Sequence, residues 1–164
     1  MISFFIHGHP KTAGSKRAFM PKGWSRPIIV DDCKKGKDWR GDVKAAAIAA
    51  YQGPPFDGPL SVEMVFHMAR PKGHFRTGKN VGNLRDNCPT WHTSKPDALK
   101  MARAIEDALT GILWRDDSQI VIERLEKIYS AEIGCRVDVK RIGTVRYINT
   151  IGDQMKLSIG SNVT

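Results

Sequence analysis

Apolar and polar positions alternate most clearly from Leu60 to Ala69. Val62, Met64, Phe66 and Met68 point one way, Ser61, Glu63 and His67 the other, and only Val65 breaks the polar side. A period of two predicts a half-buried strand. Ile2 to His7 predicts another, ended by Gly8-His-Pro10, and Ile28-Ile-Val30 a short third. Between them, residues 11–27 read as a basic loop. Asp38 can cap a helix over about 38–51, with Trp39, Val43, Ala46, Ala47 and Ala50 on one face and Gln52-Gly-Pro-Pro55 as its stop.

A second helix is predicted over about 96–109, with Pro96 at its first position and Thr110-Gly111 at its end. Ala98, Met101, Ala102, Ile105, Ala108 and Leu109 fall within about 120° of arc and form its core face. Lys100, Arg103, Glu106 and Asp107 occupy the opposite face, with Asp97 at its margin. Leu99 lies among these polar residues, out of register with the apolar stripe. Exposed leucines are common, so the position is either incidental or the trace of a replaced acidic residue that the helix N-terminus would favour.

After Ile112-Leu-Trp114 and a turn at Arg115-Asp-Asp117, strands are predicted near 119–130 and 136–142, separated by Gly134. Residues 71–94 form a long connection of the kind that is usually functional or mobile. These elements imply one compact α/β (α+β) domain over 2–142: a mixed sheet packed against two main helices. Residues 143–164 form a C-terminal extension, either a hairpin of 145–148 with 155–159 or disordered.

Composition adds a partner. Of 164 residues, 26 are Lys or Arg and 17 Asp or Glu, a net charge of +9, which points to nucleic acid or another polyanion. The 41% apolar content is that of an ordinary globular chain. Cys33, Cys88 and Cys135 form no Cys-x-x-Cys pair and, with five scattered histidines, offer no zinc spacing. They read as reduced thiols in a cytoplasmic protein. No apolar run is long enough to span a membrane, and the N-terminus lacks the pattern of a signal peptide.

Candidate chemistry gathers around the second helix. Asp97 stands at its start and Asp116-Asp117 in the turn beyond its end, both among cations: Lys95, Lys100, Arg103 and Arg115. Taken singly, Asp97 is an ordinary helix-start acid and Asp116-Asp117 a solvated turn. Together they suit an enzyme that uses magnesium on a polyanion, because that metal prefers hard oxygen ligands and the polymer needs cations. Glu106 and Asp107 lie about 10–15 Å further along the helix axis and are poor substitutes.

The series Asp97-Ala-Leu99-Lys-Met-Ala-Arg103, Asp107-Ala-Leu-Thr-Gly111, Trp114 and Asp116-Asp-Ser-Gln-Ile120 resembles the central motif of the RusA-type Holliday-junction resolvases. That motif runs Asp-x-Asp-Asn-x-x-Lys, then Asp-Ala-Leu-Thr/Asn-Gly, an aromatic, and Asp-Asp-x-Gln-Ile/Val. Gly8-His-Pro-Lys11, Ser15-Lys-Arg17 and Lys37-Asp-Trp39 are also similar to phage members. The resemblance implies catalytic roles for Asp97, Asp117 and Arg103, with Asp97, Asp116 and Asp117 as metal ligands. Arg103 stands where the family has a lysine, Lys100 where it has asparagine, and Leu99 where it has its second aspartate.

The implied reaction is Mg2+-dependent phosphodiester hydrolysis, with Mn2+ as a substitute ion, placing symmetric nicks in a four-way junction. A homodimer would match the junction's near two-fold symmetry. Lys16, Arg17, Lys72, Arg76, Lys79, Lys95, Lys100, Arg103 and Arg115 are the candidate DNA contacts. A second reading stays open, in which the loss of an acid at 99 leaves a junction-binding protein that no longer cuts.

Overall fold

A computed structural model of the chain describes residues 1–13, 16–26, 28–31 and 36–143, with backbone alone at 16–19, 28–31 and 36–37. The expected terminal hairpin of residues 145–148 and 155–159, and Cys33, lie outside the described residues.

The elements run β1 (Ile2–His7), β2 (Lys16–Phe19), β3 (Ile28–Asp31), α1 (Gly36–Ala50), β4 (Leu60–Ala69), α2 (Ala98–Leu109), β5 (Ile120–Ser130) and β6 (Gly134–Arg141). Four strands form a mixed sheet in the order β1-β6-β4-β5. β6 is antiparallel to both its neighbours, and β4 and β5 are parallel, joined by a crossover that contains α2. The result is a single α+β domain, as the periodicities imply.

Register explains why one sheet face is core. Phe4 pairs with Val137 and Ile6 with Cys135 across β1 and β6, while Val62, Met64 and Phe66 pair with Val139, Val137 and Cys135 across β4 and β6. All are buried with Trp39, Val43 and Ala47 of α1 and Met101, Ala102, Ile105, Ala108 and Leu109 of α2. Burying a side chain such as Met101, Ile105 or Leu109 contributes about 1.5–3 kcal/mol. The opposite face carries ion pairs: Arg136 Nε lies 3.0 Å from Asp138, and Arg124 lies 2.6 Å from Glu126. At Gly134 a Cβ would run into the Ile6 carbonyl, so this position needs glycine for β1 and β6 to close.

Several boundaries differ from the sequence expectation. Part of the 11–27 loop is strand: β2 pairs antiparallel with β3, through Lys16 to Asp31 and Phe19 to Ile28. α1 begins at Gly36, so Asp38 sits in its first turn instead of capping it. On α1, Ala50 is exposed; on α2, Ala104 joins the buried set. Pro96 is not the first residue of α2, because Asp97 has the extended backbone of a cap, with φ −72° and ψ 139°, and the helix starts at Ala98. Leu99 is 67% exposed, as its place on the polar face requires. No helix among the described residues is long and apolar enough to cross a membrane. Cys88 and Cys135 are free thiols, and burial pushes the Cys135 thiol well above its ordinary range.

Candidate active site

α2 and β5 pass each other in opposite directions, and two contacts fix that arrangement. At one end, Lys127 Nζ on β5 donates to the carbonyls of Ser94 at 2.6 Å and Pro96 at 2.7 Å, just before α2 begins. At the other, Glu123 on β5 meets Glu106 on α2. Asp97 therefore caps the end held by Lys127. Asp117, three residues before β5, lies within electrostatic reach of Glu106. By helix rise, Asp97 and Glu106 are about 13 Å apart along the axis.

Asp97 makes no side-chain cap bond; its carboxylate lies 3.5 Å from Lys100 Nζ. The Ala13 amide donates to the Lys100 carbonyl at 3.1 Å, so the chain after β1 lies against the first turn of α2. Together these segments form a cleft of about 420 Å³ lined by Thr12, Ala13, Lys95, Pro96, Asp97 and Lys100. Two ammonium groups beside one carboxylate, at a helix N-terminus, make a surface suited to an anion.

Along α2, Leu99, Arg103 and Glu106 follow at intervals of four and three and so share one stripe. Leu99 supplies no oxygen, and Arg103 is exposed. The Glu106 carboxyl is pushed up to about 7, first by burial, then by the Glu123 charge and a hydrogen bond to it, then by Asp117 and Asp107. Glu106 thus has Glu123, Asp117 and Asp107 as its acidic neighbours. Sequence spacing dismissed Glu106 by measuring from Asp97, although its place on the Leu99–Arg103 stripe was a signal.

The turn before β5 explains its own motif. Asp116 caps the short 3-10 turn Asp117–Gln119 and accepts from the Ser118 amide at 2.9 Å; the Ser118 hydroxyl first, and then that amide, hold its carboxyl below the usual range. Gln119 Oε1 accepts from the Arg115 and Asp116 amides at 2.8 and 3.2 Å, and its Nε2 donates to the Phe56 and Gly58 carbonyls. Asp116 and Gln119 thus build the turn that presents Asp117. No group of three or more His, Cys, Asp or Glu among the described residues has the spacing of a metal site. In kind, though not in number, the carboxylates fit a hard divalent cation.

The remaining basic residues are spread out. Lys16 and Arg17 lie on β2, and Lys72 and Lys79 on the exposed 3-10 turns Lys72–His74 and Gly78–Asn80. Arg76 is held by both Asp86 oxygens at 2.6 and 2.7 Å, and Arg115 lies 3.2 Å from Asp57.

Among known proteins the chain is similar to the uncharacterized protein YqaN of Bacillus subtilis, 27% identical over 148 residues that cover 86% of this chain and 96% of that one. The model of the endodeoxyribonuclease RusA family matches residues 11–140, taking in β2, both helices, the Asp97 cleft and the Asp116–Gln119 turn. With most of its length so matched, the chain belongs to the RusA endodeoxyribonuclease family.

Proposed function

We propose that this protein nicks four-way DNA junctions symmetrically, using Mg2+ or, in its place, Mn2+. The family consists of nucleases that act on branched DNA and generally depend on a divalent metal. The observation that carries the reading to particular residues is the Asp97 cleft with Lys95 and Lys100 on its walls. Asp97 at the start of α2, and Asp116 with Asp117 near the Glu106 end about 13 Å along the axis, would offer hard oxygens at two separate places instead of one cluster; a metal held at either would polarise a phosphate and lower the pKa of bound water. Lys95 and Lys100 offset phosphate charge at the cleft. Arg103 stands between Asp97 and Glu106 along α2, where its guanidinium can hold a phosphate in a bidentate grip.

Asp116 has one oxygen committed to Ser118, so Asp117 is the freer of the pair. The reading includes a homodimer, which would place two clefts on the two strands of a symmetric junction. One observation favours the alternative of a protein that binds junctions and cuts them poorly: exposed Leu99 leaves the stripe between Asp97 and Glu106 without a carboxylate in its first turn.

A labelled synthetic four-way junction, incubated with and without Mg2+ and resolved on a denaturing gel, tests the reading. Paired metal-dependent nicks are expected, lost in Asp97→Asn and Asp117→Asn while junction binding remains. Normal cutting by either variant would overturn the assignment of that residue.

A further inference from the structure

The long 71–94 connection builds a second concavity, separate from the Asp97 cleft. His74 to Arg76 and Asn83 to Arg85 pair as a short arm: the Arg76 amide donates to the Asn83 carbonyl at 2.8 Å, and the Arg85 amide to the His74 carbonyl at 3.0 Å. Phe75 and Leu84 bridge across it. The arm leans over the ends of β4 and β5 and forms with them an open concavity of about 650 Å³ whose walls include Phe75, Leu84, Arg70, Tyr129 and Ala131. That volume lies within the range of small-molecule sites.

Its polar element is fixed in place. The Arg70 guanidinium sits 5.4 Å from the centre of the Tyr129 ring and donates to the Pro89 carbonyl at 3.0 Å. Tyr129 is itself wedged by His74 and His92, each ring centre 4.8 Å away. With Tyr129 already covered by Arg70 and the two histidines, the wall offers the Arg70 guanidinium and the Phe75 ring, groups of the two kinds on which single nucleobases stack.

The geometry points to this cavity as a receptor for one unpaired nucleobase of the branched DNA. The inference rests on the junction-binding reading and adds to it a place for a base that has left its stack. Charge favours this occupant: Arg70 lies on the cavity wall, and no acidic side chain among the described residues lines it. Chain connection favours it too. The Thr90 carbonyl accepts from the Tyr129 amide and the His92 amide donates to the Lys127 carbonyl, so the wall of this cavity runs on directly to Lys95-Pro96-Asp97. A strand with a base lodged here passes the same end of the sheet as the Asp97 cleft.

The test compares affinities of the full chain for three four-way junctions in Ca2+, which suppresses cutting. One is fully paired, one carries a single unpaired thymine at the branch point, and one carries an abasic nucleotide there. The unpaired thymine should tighten binding roughly fivefold or more, the abasic nucleotide should not, and Ala131→Trp should erase the gain while leaving the paired junction's affinity intact. Ala131 is exposed, so a larger side chain there fills the cavity without entering the core; Ala69→Trp does the same from the opposite wall. Equal affinity for all three junctions, or a gain that survives both tryptophans, overturns the pocket while leaving junction binding standing. Failure to bind any junction overturns both.

Discussion

Glu106 on α2 and Glu123 on β5 share a hydrogen bond, which two carboxylates can form only if one of them keeps a proton. Burial and the nearby Glu123, Asp117 and Asp107 charges place that proton on Glu106 up to about pH 7. Because the folded-state pKa is raised, the shared proton supports the fold fully below the ordinary value of 4.5 and its contribution is lost as pH rises through about 7. Thermal midpoints should therefore fall across that window and flatten above it. Glu106→Gln should remove most of the fall; an unchanged profile in the variant would show that Glu106 is not the titrating group.

Leu99 occupies the first turn of α2 and is 67% exposed, so replacing it removes little packing. Leu99→Asp should stabilise the helix N-terminus by about 0.3–1 kcal/mol at low salt, before any metal is added. Metal-dependent cleavage of a four-way junction should rise in the same variant. If cleavage stays level while the thermal midpoint climbs, the residue matters to the helix alone.

Lys127 ties the segment before Asp97 to β5 through two carbonyls. Lys127→Met should cost roughly 1.5–3 kcal/mol for each charged hydrogen bond lost, offset in part by the gain in apolar packing. His92 supplies an independent readout. Its imidazole is held below the ordinary value first by burial and then by the Lys127 charge, so its NMR titration should move upward in the variant. A titration that does not move would place Lys127 further from His92 than described.

Salt dependence separates the cations. If about six basic side chains meet phosphates, the logarithm of junction affinity should fall against the logarithm of salt with a slope of roughly −5. Lys95→Ala should make that slope shallower by about one. Lys100→Ala and Arg115→Ala should change it less, because Lys100 already faces Asp97 at 3.5 Å and Arg115 faces Asp57 at 3.2 Å. Equal changes for all three would mean that both pairs open on binding.

How much of this could be read in advance depends on which force shaped each segment. β1, β4 and α2 are half-buried elements, so core packing wrote a period of two or of 3.6 into Phe4, Val62, Met64, Met101 and Ile105. β2 was hidden because Lys16-Arg-Ala-Phe19 has no apolar alternation; its strand state comes from pairing with β3. Leu99 stood out on the wheel because exposure contradicts its chemistry. Glu106 did not, because its meaning depends on Glu123, and the antiparallel passage of α2 and β5 that joins them is a tertiary fact. The Asp116–Gln119 series looked like chemistry alone, yet half of it is the scaffold of its own turn.

A strand at the heart of the sheet is the last of the described strands to be made. β6 lies between β1 and β4, pairing Ile2 with Val139 and Leu60 with Arg141, so neither neighbour has its inner partner until about residue 140 has left the ribosome. Contacts that join the two ends of a chain are costly to form and slow to find. Until then β1 and β4 present open apolar edges, of the kind that invite aggregation. Nascent chains of this protein thus depend on synthesis through β6 before they can bury their core, and truncation anywhere before β6 should yield insoluble product instead of a smaller folded unit.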